Sequence, residues 1–457
     1  MSGQPRGTAT AKESLTVGGR EKSVCSYPKV WPVERLRFSI LSNPVRSEVG
    51  NWADDTPVSF VPMDSVGERG EIDASQERPI GDIYNGYTYF AAQDILIAKI
   101  TPCFENGKGA IATELINGVG FGTTEFHVLR PLDGISARWL YYLTASDAFR
   151  KIGEAEMLGA GGQKRVPEDF VRNFKTGIPS FEEQERIAVF LDWKTAQIDA
   201  LIAKKRELIQ KLKENRLAVI TQAVTKGLDP KVPLRDSGIP WLGKVPKHWE
   251  AIPLGFLITM SGGMTPSMAN SEYWEGDIPW VTPKDMKQPR ISDSLDHVTP
   301  KALAETGLSL VPVGAVLIVV RGMILAHSFP TAVTEAPVTI NQDMKALRCG
   351  DHLTTEFLFW CLTGFSKVLS NMAQESAHGT RKMETDTLKK LRLSVPPIVE
   401  QQAITRHLEA RLGQLDQLAM ATEQTIARLT EYRSALITAA TTGKIDLRGW
   451  HAEKEAA

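Results

Sequence analysis

Along most of the chain, short apolar runs alternate with turns rich in Gly and Pro, but twice this pattern gives way to a long stretch of Leu, Ile, Ala, Glu, Lys, Gln and Arg. One stretch opens at Phe181 and the other at Ile398; neither contains proline, and Gly413 is their one internal glycine. Roughly forty residues of good helix formers without a breaker predict one long helix in each case. Within them the apolar positions recur near every seventh residue, at Leu191, Ile198, Leu212 and Val219, and at Leu408, Leu415, Leu429 and Leu436. The missing beat is polar in both, at Lys205 and Thr422. Such seams predict that the two helices pack on each other side by side and antiparallel, as a coiled-coil-like spacer between globules. Elsewhere, Asp94-Ile95-Leu96-Ile97-Ala98 and Ala315-Val316-Leu317-Ile318-Val319-Val320 read as buried strands, so the remainder is predicted to be compact α+β.

The matched helices belong to a larger internal repeat. Ile178-Pro179-Ser180-Phe181-Glu182-Glu183-Gln184 aligns with Val395-Pro396-Pro397-Ile398-Val399-Glu400-Gln401, and the register then holds without a gap to Thr225/Thr442. Upstream, with small slips, Trp139-Leu140-Tyr141-Tyr142 falls on Phe357-Leu358-Phe359-Trp360, and Tyr27-Pro28-Lys29-Val30-Trp31 on Val245-Pro246-Lys247-His248-Trp249. The chain therefore divides into a tail (1–27), a first globule (28–177), a first helix region (178–227), a linker (228–245), a second globule (246–394), a second helix region (395–444) and a C-terminal tail (445–457). Trp31 and Trp249, at the start of each unit, are expected to be core anchors.

Composition narrows the function. With 53 Lys+Arg against 54 Asp+Glu the formal charge is −1, so any polyanion site must be a local patch. The four cysteines, Cys25, Cys103, Cys349 and Cys361, lie far apart, which favours neither a disulfide scaffold nor a zinc ribbon and makes the cytosol the natural compartment. Residues 1–27 lack the apolar run of a secretory signal and read as disordered. The most apolar stretch, Val311 to Leu325, is broken by Pro312, Gly314, Arg321 and Gly322, so no membrane span is expected.

Catalytic signatures are missing: there is no G-x-x-x-x-G-K-[ST], H-E-x-x-H or G-x-S-x-G, and no histidine pair at helical spacing. Gly118-Val119-Gly120-Phe121-Gly122 reads as a turn between strands, because no helix follows it as a dinucleotide loop requires. Asp82, Asp94, Glu105 and Glu114 would be the raw material of a nuclease centre, but the second unit does not repeat them. A stronger signal is a basic, glycine-rich loop in each unit. Gly162-Gln163-Lys164-Arg165 aligns with Gly379-Thr380-Arg381-Lys382, joining an amide or hydroxyl to two adjacent cations. That combination suits phosphate neutralisation together with hydrogen bonds to base edges. Lys99, Lys108, Lys284, Lys287 and Arg290 are weaker candidates, isolated in sequence.

The duplicated unit, the I-P-x-x-x-E-Q and V-P-x-x-x-E-Q openings, the long helices, and the endings Thr225-Lys226-Gly227-Leu228 and Thr442-Gly443-Lys444-Ile445 together resemble the specificity subunit of type I restriction-modification systems. The resemblance implies two target-recognition domains, each reading one half of a bipartite, asymmetric site in double-stranded DNA, with the paired helices setting the gap. It also implies two methyltransferase subunits and restriction/translocase subunits as partners. The subunit itself would be non-catalytic and bind no cofactor, S-adenosylmethionine, ATP and Mg2+ being used by the partners. A coiled-coil scaffold for protein partners and a single-chain nuclease with an unrecognised metal site are the alternatives.

Overall fold

The computed structural model describes residues 10–17, 20–160, 162–375 and 379–450, with side chains from residue 27 onward. The chain forms two compact units, Met1–Lys205 with Gln424–Ala457, and Arg206–Glu423. The first unit is discontinuous and the second continuous, because each long helix, Phe181–Lys226 and Ile398–Thr441, contributes part of its length to each unit.

In the first unit the globule holds two four-stranded sheets. One runs Glu77–Pro79, Pro57–Val61, Val119–Gly122, Thr88–Ala91, and the other Ile40–Ser42, Phe126–Pro131, Ile95–Ala98, Gly109–Ile111. The predicted strand at Ile95–Ala98 is buried on both faces, as its unbroken apolar run demands. The Gly118–Gly122 reading needs correction: Val119–Gly122 is itself a central strand, and only Gly118, at φ +73°, sits in the turn. A Cβ on Gly120 would lie 2.2 Å from the Phe90 ring and one on Gly122 2.6 Å from the Val61 carbonyl. These glycines mark close packing inside a sheet rather than a chain reversal.

The second unit has a five-stranded sheet, in order Ile258–Gly262, Met344–Cys349, Val316–Val319, Thr331–Thr334 and Arg290–Ile291, and a three-stranded one around Trp274–Val281. The two globules thus share a plan but not a sheet order. What they share closely is the junction with the helices. The aromatic segments form helices Ala137–Ala145 and Thr355–Gly364, capped by Ser136 and Thr354. Two-stranded ribbons, Val33–Arg35 with Lys175–Gly177 and Glu250–Pro253 with Arg392–Val395, lead into the long helices.

The E-Q motif explains itself here. Gln184 is buried; its Nε2 donates to the carbonyls of Pro179 (2.9 Å) and Gly134 (3.1 Å), and its Oε1 accepts from the Ser136 amide (2.8 Å). Gln401 does the same with Pro396, His352 and Thr354. The preceding Glu183 and Glu400 accept from the indole N–H groups of Trp31 and Trp249, which are buried core anchors as expected. Gly227 and Gly443 end the two helices with positive φ, the left-handed conformation that terminates a helix without a Cβ penalty. A Cβ on Gly443 would lie 2.5 Å from Pro28 and 2.9 Å from the Trp31 ring, so this position admits only glycine.

Within each unit the helix halves are antiparallel. In the first, Phe190 and Trp193 stack against Trp450 while Asp199 meets Arg433 at 3.1 Å. In the second, Arg216 meets Asp416 at 2.7 Å, while Gly227 lies against Glu400. Seam residues Leu191, Ile198, Leu212, Leu408, Leu415 and Leu436 are buried, and Val219 and Leu429 partly so. At the polar beat, Thr422 is buried and returns its hydroxyl to the Leu418 carbonyl (2.7 Å), whereas Lys205 is half-buried.

Three stretches read as tail or linker carry structure. Thr10–Val17 and Arg20–Pro28 pair as antiparallel strands. Residues 1–9 and 18–19 lie outside the described residues. In the linker, Leu234–Asp236 pairs with Lys244–Pro246. The C-terminal stretch docks through Leu447 and Trp450 on the first unit's core, because apolar residues there find a partner surface that composition alone does not reveal; residues 451–457 lie outside the described residues.

Candidate nucleic-acid interface

Each basic loop is the tip of a β-ribbon hung on the segment that follows the globule's buried strand. In the first unit, Leu158 and Arg165 exchange backbone hydrogen bonds (2.9 and 2.8 Å), closing a loop whose Gly159 and Gly162 have φ of +143° and +81°. Gly159 has no room for a side chain: a Cβ would lie 2.5 Å from the Gln163 carbonyl. The Thr101 amide donates to Lys164 O (2.9 Å) and the Val166 amide to Lys99 O (2.8 Å). In the second unit, Gln374–Glu375 pairs with Arg381–Lys382, which pairs in turn with Arg321–Gly322. There the Met383 amide donates to Val320 O (2.8 Å), the counterpart of the Val166 bond. Residue 161 and residues 376–378 lie outside the described residues.

The side chains differ in what they offer. Gln163 and Lys164 are exposed at the first tip. Arg165 is exposed but forked onto Glu125 (2.8 and 2.9 Å), and this hydrogen bonding holds the Glu125 carboxyl below the ordinary range. Lys99 and Arg165 line one open groove of about 390 Å³ with Asn43, Thr124 and His127. Burial holds the His127 imidazole below its ordinary 6.5, and its Nε2 lies 2.8 Å from Val166 O. In the second unit Thr380 and Arg381 are half-buried, with Arg381 reaching the Ser370 carbonyl at 3.4 Å, and Lys382 pairs with Glu384 at 2.8 Å.

The weaker candidates scatter. Lys108 is a tether, its ammonium on the Met63 carbonyl (3.1 Å). Arg290 is forked onto Glu356, both bonds 2.7 Å, and lies over the Phe359 ring. Lys284 and Lys287 are exposed on the turn organised by Asp285. Among the described residues no hydrogen bond or ion pair joins Lys284 or Arg290 to the 379–382 loop. Of the four carboxylates considered for a nuclease centre, Asp94 is buried and bound twice by Arg130 (2.7 and 2.8 Å). No group of three or more metal-ligating side chains forms among the described residues, and no described helix is long and apolar enough to cross a membrane.

Two residues escaped the sequence reading. Arg321 is exposed and its backbone pairs with the second basic loop; it was hidden inside the most apolar stretch of the chain. Arg150 donates to the carbonyls of Phe104 (2.9 Å) and Gly107 (3.2 Å), pinning the loop that starts at Thr101 beside Lys164. Its burial depresses its pKa, and only tertiary contact shows that this helical arginine points inward.

The family model for the type I restriction modification DNA specificity domain matches residues 79–213 and again 246–429. A stretch of 140 residues is 47% identical to the type I restriction enzyme EcoAI specificity subunit of Escherichia coli, covering 30% of this chain and 23% of that one. Another of 163 residues is 31% identical to the EcoR124I/EcoR124II specificity subunit of the same organism, covering 35% and 40%. The matched stretches thus span less than half the length of these relatives. Among solved structures, a chain from a study of complex assembly and conformational transition in the type I R-M system superposes with a TM-score of 0.75 at 18% identity, covering 92% of this chain and 99% of that one. The HsdS subunit from Thermoanaerobacter tengcongensis gives 0.56 at 19% identity, covering 92% and 98%, which shows a common fold. Matched twice by the family model, once in each repeat, the chain belongs to the type I restriction modification DNA specificity family.

Proposed function

We propose that this chain is the DNA-specificity subunit of a type I restriction-modification enzyme. Each globule reads one half of a bipartite, asymmetric site in double-stranded DNA, and the long helices set the gap. In this reading it works in the cytoplasm, directs two methyltransferase subunits and the restriction/translocase subunits, and does no chemistry of its own. S-adenosylmethionine, ATP and Mg2+ belong to those partners. The observation that carries the reading is the recurrence of a basic ribbon tip on the same backbone bond, Val166 N to Lys99 O and Met383 N to Val320 O, in globules whose sheets otherwise differ. Equivalent placement with different surroundings is what two readers of different half-sites need.

The test is charge reversal at one tip at a time, Lys164→Glu or Lys382→Glu, followed by methylation mapping and a salt titration of DNA affinity. Each variant should weaken binding and lower the salt slope by about one per lost phosphate contact while the methyltransferase still co-purifies. Unchanged affinity and slope in both variants would overturn the assignment of the loops.

A further inference from the structure

Beyond Lys164 and Arg381 at the ribbon tips, cations with no carboxylate partner gather at a second place in each unit. In the first unit the 3-10 turn Leu36–Phe38 buries Leu36 and leaves Phe38 63% exposed; in the second, Leu254–Phe256 buries Leu254 and leaves Phe256 85% exposed. The turns are held identically, by Leu36 N to Phe174 O (3.0 Å) and Leu254 N to Leu391 O (2.7 Å). Two large apolar rings in water at the same place of both repeats are not explained by either unit's own packing.

Both rings are set in positive charge. Beside Phe38, Arg35 and Arg37 donate to the neutral amide oxygen of Asn173 (3.2 and 3.3 Å), and the Arg37 guanidinium lies 4.9 Å from the Phe38 ring centre. Arg172 is exposed on the same short helix as Asn173, and an open groove of about 580 Å³ runs past Arg35, Arg37 and Phe38, with Glu34 as its one acid. Beside Phe256, Gly255 packs against Lys389, where a Cβ would lie 3.1 Å from the Lys389 Cβ, and Arg392 pairs in backbone register with Pro253. Lys389, Lys390 and Arg392 are all exposed. Arg172 and Lys389, and Asn173 and Lys390, occupy matching repeat positions. Among the described residues none of Arg35, Arg37, Arg172, Lys389, Lys390 and Arg392 has an ion pair, whereas Arg165, Lys382 and Arg290 do.

We infer that each patch is a second, sequence-independent contact to the DNA backbone, with the arginines and lysines on phosphates and the phenyl ring against the sugars. This deepens the proposed DNA-reading function and rests on it. Placement supports a common duplex: each ribbon tip leads into a six-residue helix, Glu168–Asn173 or Thr385–Lys390, whose last turn carries patch residues Arg172 or Lys389 and Lys390. Six helical residues span about 9 Å, or roughly three base-pair rises along a strand. A duplex held at the tip therefore reaches the patch within one turn. Unpaired cations are what release counterions on binding, while cations already forked onto carboxylates contribute less.

The test uses the full chain and a random-sequence duplex of about 40 base pairs, long enough for several helical turns, titrated with salt. The triple variants Arg35→Gln/Arg37→Gln/Arg172→Gln and Lys389→Gln/Lys390→Gln/Arg392→Gln should each lower the slope of log affinity against log salt by about two to three, and weaken binding at least about tenfold near 0.1 M salt. Methylation mapping in cells should show the same recognised motif as the unaltered protein. Phe38→Ser and Phe256→Ser should weaken binding severalfold with the slope unchanged. If the unaltered chain binds DNA and both triple variants keep its slope, the patches are not DNA contacts and this inference falls while the proposed function stands. Loss of methyltransferase co-purification at full DNA slope would likewise overturn it, making the patches protein-docking surfaces. Failure of the unaltered chain, alone and with its methyltransferase, to bind any duplex would overturn the DNA-reading function itself.

Discussion

Replacing Gln184 by Met removes the fastening between the first globule and its long helix while nearly preserving volume. The side chain is 1% exposed and makes three hydrogen bonds, two donated to the Pro179 and Gly134 carbonyls and one accepted from the Ser136 amide. A buried hydrogen bond contributes about 1 kcal/mol net, and leaving a buried amide without a partner costs about 1–3 kcal/mol. Carbonyls left short of a partner are tolerated better than an orphaned N–H. The sum is about 3 kcal/mol, close to a hundredfold change in the opening equilibrium. The assay is hydrogen exchange, read at the amides of Ala137–Ala145, whose capping residue Ser136 loses its amide partner. The repeat supplies its own control: Gln184→Met should leave the Thr355–Gly364 amides unchanged, and Gln401→Met should reverse the pattern. Protection within about threefold of the parent in both variants would refute the claim that this glutamine fastens helix to globule.

Asp199 accepts from both Arg69 (2.7 Å) and Arg433 (3.1 Å), so Asp199→Asn should lower first-unit stability by about 1 kcal/mol after allowance for its partial exposure, measured by urea unfolding. The more exposed Arg216–Asp416 pair should matter less, and the charge swap Arg216→Asp/Asp416→Arg should recover what either single change loses. His127 has its pKa lowered by burial, so the unfolded chain binds the proton more readily. Stability should therefore be full above about pH 6.5 and fall as pH drops below it, and a His127→Gln variant should show a flatter profile across that window in pH-dependent unfolding. Gly413 is exposed inside a helix with open space where a Cβ would sit, so Gly413→Ala should raise the urea midpoint by the equivalent of about 0.5–1 kcal/mol with the slope unchanged.

The repeat, the two helices and the burial of Leu191, Leu408 and the paired tryptophans were legible because they depend on periodicity and composition, which act locally along the chain. The E-Q motif was visible as a pattern, yet its role as a buried, fully bonded amide emerges only when the Pro179 and Gly134 carbonyls converge on it. From sequence alone the glycines of Val119–Gly122 suggest a turn, because glycine signals both chain reversal and close approach, and only the positions of Phe90 and Val61 decide which. Cations posed the same problem more sharply. A sequence counts charges without saying which are neutralised: Arg290 and Arg165 face carboxylates distant in the chain, while Arg35, Arg37 and Lys389 cluster beside rings exposed to water. Local propensity sets which segments become helix or strand, but the electrostatic state of a side chain depends on neighbours brought near by folding, and that only the tertiary structure decides.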